Sequence, residues 1–179
     1  MSLVGKTAEE QIWNYLFSTI KNEYGTAGVM GNLYAESGLK PTNLQDAYEK
    51  KLGFTDLTYT EKVDTGEYSN FIRDSAGYGL AQWTFWSRKQ ALLLYVKNKQ
   101  KSIGDLESQL EFLITEFKND YPTVWKVLTT AQSIMEASNS FLFNYEVPAN
   151  QSAAVQKERA SYGQTYYDRY VNHKQTEVI

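Results

Sequence analysis

Apolar residues recur at helical spacing along most of the 179-residue chain. The first such stripe consists of Ile12, Leu16 and Ile20. Thr7 and Glu10 stand at its start in the spacing of a capping box, and Gly25 follows it as a stop signal. The pattern predicts a first helix that ends before Gly25 and a second helix over residues 26–37.

From Thr84 onward, the stripes predict helices alone, and polar caps or proline mark where they begin. Asp105 and Ser133 are in N-cap positions, and Pro122 is suited to the first turn of a short helix. Between the two helical regions, the run Gly77-Tyr-Gly-Leu-Ala-Gln-Trp83 is apolar and contains two glycines, which predicts a short extended segment. The predicted fold is therefore mainly α, in an α+β arrangement with at most a small β element around residues 77–84.

We find no repeat, low-complexity run or linker, so the sequence predicts a single domain over residues 1–179. Within it, residues 1–6 are interpreted as an added or linking segment and residues 172–179 as a tail. The abrupt polar end of the chain suggests a domain taken from a longer protein.

Composition excludes several kinds of active site. The chain has no Cys, and its single His is His173, close to the end. Cysteine nucleophiles, Ser-His-Asp triads and His-ligated zinc therefore do not fit, no cofactor is expected, and an enzyme with this composition would work with carboxylates. A net charge of -3 gives no electrostatic reason to expect nucleic acid or an anionic membrane as a partner.

Glu36 stands out among the carboxylates because it lies on an apolar stripe. Along the predicted second helix, Val29, Leu33 and Glu36 fall on one face. Glu36 is also in the last turn, where the negative end of the helix dipole disfavours an anion. Desolvation and the dipole both favour the neutral acid, which is the form that a general acid needs. Glu23 lies comparably at the predicted end of the first helix, so position alone leaves both glutamates open.

Two runs of sequence distinguish Glu36 from Glu23. The first is Gly31-Asn-Leu-Tyr-Ala-Glu-Ser-Gly-Leu39, and the second is the glycine-containing segment over residues 77–83. Together, in this order and on these predicted elements, they resemble the phage tail-type lysozyme domain of bacteriophages and prophages of Gram-positive bacteria. That domain belongs to the lysozyme-like superfamily, whose relatives include goose-type lysozymes and lytic transglycosylases. The resemblance covers about residues 8–170.

The resemblance implies a two-lobed fold and a muramidase. Such an enzyme cleaves the β-1,4 bond between N-acetylmuramic acid and N-acetylglucosamine in peptidoglycan, and Glu36 would be its catalytic acid. The expected partner is the peptidoglycan glycan strand, with a phage tail or further domains of a longer chain as other partners. Nucleic acid and membrane are not expected partners, and the place of action would be the phage tail or the bacterial cell wall.

By the same resemblance, substrate-binding roles fall on one residue beside Glu36 and on residues further along the chain, namely Ser37, Tyr78, Gln82, Trp83 and Tyr145. Gln82 would hydrogen-bond to sugar, and the aromatic side chains would stack on sugar faces. Alternatives remain open. Ser37 would equally serve to cap its helix, and Trp83 and Trp86 would equally pack in the core.

The second catalytic acid is less well defined, because the position before the Tyr-Gly run is Gly77, where many hen-type lysozymes have aspartate. Asp74 is the nearest acid and would have to lie about 5 to 10 Å from Glu36 to act as nucleophile or base. A turn-forming role or an ion pair with Arg73 is the alternative. Asp64 and Asp56 are weaker candidates.

Without a second acid, the chain would resemble a lytic transglycosylase, in which the 6-hydroxyl of the sugar attacks and an anhydro sugar forms. Two further hypotheses are a non-catalytic glycan-binding module and a related polysaccharide hydrolase such as a chitinase or chitosanase.

Overall fold

The computed structural model describes residues 3–173. Within that range the chain forms nine α-helices: α1 (Ala8–Ile20), α2 (Glu23–Ser37), α3 (Asp46–Leu52), α4 (Asp56–Thr65), α5 (Trp86–Asn98), α6 (Leu106–Asn119), α7 (Pro122–Thr130), α8 (Ile134–Phe141) and α9 (Ala153–Tyr167). One π-helical turn follows α8 (Leu142–Glu146), and another follows α9 (Asp168–Asn172). The prediction of a mainly α fold is confirmed.

The β content is confined to two isolated antiparallel bridges among the described residues. Tyr78 pairs with Leu44 on one side and with Trp83 on the other. This agrees with the prediction of at most a small β element around residues 77–84.

The predicted boundary between the first two helices is wrong. Helix α1 ends at Ile20, and Lys21 adopts a left-handed conformation in which its N–H donates to the Phe17 carbonyl oxygen at 2.9 Å. Helix α2 then begins at Glu23, so Gly25 lies inside a helix. The glycine serves packing there, because a Cβ at Gly25 would be 1.9 Å from the Leu128 carbonyl oxygen of α7.

The helix starts that were predicted from polar caps are confirmed. The Thr7 hydroxyl accepts a hydrogen bond from the Glu10 N–H at 3.2 Å, although the Glu10 carboxylate accepts from Lys6 N–H and not from Thr7. Ser133 and Asp105 accept bonds of the same kind at the starts of α8 and α6. Each of these caps is a contact within four residues, which explains why the sequence alone was sufficient.

The contacts group the chain into two compact units. Unit 1 contains the described residues up to 35 and from 115 onward, and unit 2 contains residues 36–114. The assignment of residues 1–179 to one domain stays a prediction, and residues 1, 2 and 174–179 of its end segments lie outside the described residues. None of the described helices has the length and apolar character needed to cross a membrane.

Helix α2 packs in unit 1 through glycines, because backbone approaches it from two neighbouring helices. A Cβ at Gly31 would lie 2.3 Å from the Arg159 carbonyl oxygen of α9. A Cβ at Gly28 would lie 2.7 Å from the Ala137 Cβ of α8. Gly163 of α9 is equally tight, since its Cβ would come within 2.7 Å of the Ala27 carbonyl oxygen. Small residues therefore fix how closely these helices approach.

We predict that Gly31→Ala destabilises the protein by about 1–3 kcal/mol or more, because its new methyl group meets backbone atoms that cannot rotate away. Gly66→Ala is the matched comparison. Gly66 has φ +80°, and a Cβ added there would have nothing within 4 Å, so that variant meets backbone strain only. It should cost about 1 kcal/mol. Urea unfolding of both variants is the measurement, and an equal or smaller loss for Gly31→Ala would contradict the packing argument.

Candidate active site

Glu36 occupies the last turn of α2, as predicted. Val29 and Leu33, which share its face, are fully buried, and Glu36 itself is half-buried. The helix ends one residue later, where Gly38 and Leu39 have φ values of 59° and 63°. Two consecutive left-handed residues turn the chain away at once, so Glu36 stays next to the carbonyl groups at the negative end of the helix dipole.

Ser37 connects the end of α2 to the second sequence run. Its side chain is buried, and its hydroxyl donates a hydrogen bond to the Leu80 carbonyl oxygen at 2.9 Å. The two motifs that are about forty residues apart in sequence therefore meet at this bond. Ser37 thus links the end of α2 to the segment over residues 77–83, and its predicted roles in helix capping or sugar contact stay predictions.

The segment over residues 77–83 is a tight hairpin. Tyr78 and Trp83 exchange backbone hydrogen bonds of 3.2 and 3.0 Å, and the Gln82 N–H donates to the Gly79 carbonyl oxygen at 3.2 Å. Gly79 has φ +78°, and a Cβ there would be 2.7 Å from the side-chain oxygen of Gln109 on α6. Glycine is therefore required at the turn both for its conformation and for the close approach of Gln109.

Gln109 is a residue that the sequence analysis missed. Its Oε1 accepts from the Leu80 N–H at 2.9 Å, and its Nε2 donates to the carbonyl oxygens of Pro41 and Ile103, both at 2.6 Å. One fully buried amide thus fastens three loops of unit 2 together. A glutamine on the apolar stripe of a predicted helix was the available signal.

Gln82 also contributes to this framework. Its Nε2 donates to Asn43 Oδ1 at 2.9 Å, to the Asn43 carbonyl oxygen at 3.1 Å and to the Gly79 carbonyl oxygen at 3.1 Å. Protein acceptors therefore occupy the amide nitrogen of Gln82, and its expected hydrogen bond to sugar stays a prediction. In this structure Gln82 fixes the hairpin to the loop that contains Asn43.

The expected sugar-stacking roles of Tyr78 and Trp83 do not fit the structure, because neither side chain has exposed surface. The Tyr78 hydroxyl lies 2.6 Å from Thr60 Oγ1, and burial raises the pKa of Tyr78 above its ordinary value. Trp83 packs edge-on against Phe112 with ring centroids 5.6 Å apart. The core-packing alternative therefore describes Trp83, whereas Trp86 is 55% exposed.

Tyr145 is likewise a core residue, in unit 1. It is 3% exposed, and its hydroxyl donates to Glu116 Oε2 at 2.6 Å. Its ring lies 4.9 Å from that of Phe117 and 4.8 Å from that of Phe141. The Tyr145 hydroxyl is therefore engaged in a buried hydrogen bond inside a group of aromatic rings, a position that does not fit the expected contact with substrate.

Asp74 lies at the centre of a buried polar cluster in unit 2. Its Oδ1 accepts from Lys89 Nζ at 2.6 Å and from the Ala76 N–H at 2.9 Å. Its Oδ2 accepts from the Tyr59 hydroxyl at 2.5 Å and the Tyr68 hydroxyl at 3.2 Å. The side chains of Lys89 and Asp74 are 0% and 1% exposed. Both oxygens of the carboxylate are thus satisfied by protein donors.

The protonation equilibria of the surrounding groups reflect this burial. Burial lowers the pKa of Lys89, and its hydrogen bond and charge interaction with Asp74 act in the opposite direction. Burial, followed by the hydrogen bond to Asp74, raises the pKa of Tyr59. Burial and the charge of Asp74 raise the pKa of Tyr68 to about 12. The two tyrosines therefore keep their hydroxyl protons and remain donors to the carboxylate at neutral pH.

The contacts of Asp74 favour the alternative in which this residue is structural, with Lys89 as its partner in place of Arg73. The two weaker candidates also accept bonds within unit 2. Asp56 Oδ1 accepts from the Leu44 N–H at 2.8 Å, and Asp64 accepts from the Ile103 N–H at 2.9 Å. Of the carboxylates considered for catalysis, Glu36 is the one that lies within the first sequence run, in the last turn of α2.

The sequence comparison adds to this geometry. The profile of the phage tail lysozyme family matches residues 7–170, nearly the whole chain. The chain belongs to the phage tail lysozyme family. Its family therefore assigns it a lysozyme-like, peptidoglycan-lytic activity and places it with proteins that are phage-associated or act on the cell wall.

A buried polar network connects α2 to the C-terminal part of the chain in unit 1. In unit 1, the Arg159 guanidinium of α9 donates to both oxygens of Glu146, at 2.6 and 2.8 Å. It also donates to Asn32 Oδ1 at 3.2 Å, and the Asn32 amide donates to the Gly28 carbonyl oxygen at 2.8 Å. These residues hold α2 against α9, so their role is to position the helix that carries Glu36.

We predict that Asp74→Asn destabilises the protein by about 3–5 kcal/mol, because it leaves Lys89 buried without its counter-charge. The double variant Asp74→Asn/Lys89→Met should be more stable than Asp74→Asn alone, since it removes the uncompensated charge. The control is Lys99→Met. Lys99 lies just beyond the end of α5, the helix that carries Lys89, and it forms a partly exposed ion pair with Glu111, so its loss should cost at most about 1 kcal/mol. Urea unfolding of the wild type and the three variants tests this order, and Asp74→Asn as stable as wild type would refute it.

Proposed function

We propose that this protein is a muramidase that cleaves the β-1,4 bond between N-acetylmuramic acid and N-acetylglucosamine, with Glu36 as the general acid. The activity would be bacteriolytic and exerted at the cell wall, with a phage tail or further domains of a longer chain as partners. One observation carries the assignment of the acid. In this member of the phage tail lysozyme family, the half-buried Glu36 at the end of α2 is followed by Ser37, which hydrogen-bonds to the hairpin over residues 77–83.

The position of Glu36 supports a role as proton donor. Its side chain is half-buried in the last turn of α2, beside the negative end of the helix dipole. In the proposed step, the neutral carboxylic acid donates its proton to the glycosidic oxygen while the bond from that oxygen to C1 of the muramic acid breaks. The leaving sugar then departs with a 4-hydroxyl group.

In the hydrolytic reaction, the oxygen of a water molecule bonds to C1 of the muramic acid and its spare proton restores Glu36 over the cycle. One water is consumed, and a reducing muramic acid end is formed. Retaining and inverting versions differ in whether a second carboxylate acts as nucleophile or as base. The buried Asp74 is poorly suited to either part, because its oxygens are already occupied.

The occupied oxygens of Asp74 favour a second candidate reaction, in which the same bond is cut without water. The 6-hydroxyl oxygen of the muramic acid would attack C1 and form a 1,6-anhydro sugar, and the hydroxyl proton would pass to the Glu36 carboxylate. A site with one acid is sufficient for this lytic transglycosylase reaction. The two candidates share the substrate and the role of Glu36 and differ in the product.

We predict that Glu36→Gln abolishes release of soluble muropeptides from purified cell walls, because an amide cannot donate the proton. Loss of a general acid should lower the rate by about 100-fold or more. Glu23→Gln is the matched control, since Glu23 begins the same helix and is exposed. It should keep wild-type activity, and both variants should keep the wild-type melting temperature. Full clearing of walls by the Glu36 variant would refute the assignment.

Mass spectrometry of the digested peptidoglycan will identify the reaction. We predict reducing muramic acid ends from the hydrolase, whereas anhydro ends would assign the transglycosylase reaction instead. Wall binding without any product would support a non-catalytic glycan-binding module. Faster cleavage of chitin than of peptidoglycan would support a chitinase-like hydrolase.

A further inference from the structure

Unit 2 contains a groove whose lining residues have no assigned role in the proposed catalytic step. It has a volume of about 700 Å³ and is lined by Ile72, Arg73, Ser75, Thr84, Phe85 and Trp86. We call it the Trp86 groove. Its lining residues lie directly before and after the hairpin over residues 77–83, which Ser37 connects to the end of α2. Its volume falls within the range of about 300–1,000 Å³ that is typical of small-molecule sites.

The aromatic wall of the Trp86 groove is exposed. Phe85 is 62% exposed and Trp86 is 55% exposed, and their rings lie side by side with centroids 6.1 Å apart. Two large neighbouring rings on the surface form an apolar patch that folding does not require, because Trp83 and Tyr78 already fill the core here. The patch is suited to covering aliphatic groups of a ligand.

The charge in the groove comes from Arg73. Its side chain is exposed, and among residues 3–173 its guanidinium forms no ion pair. The neighbouring Asp74 does not neutralise it, because the Asp74 carboxylate is turned into the core against Lys89. Helix α5 also begins at this groove, with Phe85 at its N-cap, no side-chain cap and no acidic residue in its first turn. The groove therefore presents positive charge beside an apolar surface.

Peptidoglycan offers a matching ligand. Its glycan backbone is uncharged where the lactyl groups are amide-linked, whereas its peptide stems carry free carboxylates next to alanine methyl groups and other aliphatic side chains. A guanidinium pairs well with a carboxylate, and exposed rings cover aliphatic groups. Wall teichoic acid is anionic too, but it is a hydrophilic polyol phosphate, which leaves the two rings without a partner.

We propose that the Trp86 groove binds the peptide stem of peptidoglycan, with Arg73 pairing with a stem carboxylate and Phe85 and Trp86 covering aliphatic stem groups. The inference rests on the proposed function for the choice of substrate. It makes the enzyme selective for glycan that still carries its peptides.

Binding is the direct test, measured by calorimetry with a free tetrapeptide stem as the probe and the full-length chain carrying Glu36→Gln. Arg73→Gln and Trp86→Ala, each added to this chain, should weaken binding of the tetrapeptide about 10-fold or more. Lys97→Gln and Leu94→Ala are the matched controls on α5, since Lys97 is exposed and Leu94, like Trp86, is 55% exposed. Both controls should bind the peptide as tightly as the parent chain.

Three results would overturn the proposal. The first is that the parent chain does not bind the tetrapeptide, and the second is that the groove variants bind it as tightly as the parent chain. The third is that the groove variants lose binding only to peptide-free disaccharide or only to walls that carry teichoic acid. The proposed function can fail separately, because the binding assay uses a chain that does not turn over. With active enzyme, the rate on intact peptidoglycan relative to amidase-stripped glycan should fall in Arg73→Gln and stay unchanged in Lys97→Gln.

Discussion

The buried pair between Asp74 and Lys89 is the interaction on which the arrangement of unit 2 depends. Removing two charges from water costs several kcal/mol per ion, and only close pairing with further hydrogen bonds offsets that cost. Here Tyr59 of α4 and the Ala76 N–H also donate hydrogen bonds to the Asp74 carboxylate. The Lys89 ammonium in turn donates to the Ala76 carbonyl oxygen at 2.8 Å. The pair therefore joins α4 and α5 to the stretch of chain that leads into the hairpin.

Consequences of this pair extend in two directions along the chain. Toward the C-terminus, residue 76 is fixed, so the hairpin begins at a defined place and Leu80 presents its carbonyl oxygen to Ser37. Toward the N-terminus, Asp74 points inward, and Arg73 is left on the surface with its charge available. One buried contact thus supports both the loop beside the candidate acid and the cationic side of the Trp86 groove.

The sequence predicted what local chemistry determines and failed where distant contacts decide. Thr7 marks a helix start correctly because its partner is three residues away. Gly25 has the pattern of a helix end, but its cause is the Leu128 backbone, which no local pattern reveals. The different roles of Trp83 and Trp86 have the same origin. Both are aromatic residues in or next to the motif, and the buried Trp83 packs against Phe112, far along the chain, a contact that no local pattern reveals.

Helix α2 places its two glutamates in opposite electrostatic environments. Glu23 is in the first turn, where the positive end of the helix dipole stabilises a carboxylate, and Glu36 is in the last turn, where the negative end disfavours one. Each effect is about 0.3–1 kcal/mol, less than a factor of ten in an equilibrium constant. The dipole is therefore a small contribution. In the proposed reaction, the glycan strand that covers the Glu36 carboxyl group would contribute more by removing it from water. On that proposal, substrate binding itself would complete the general acid.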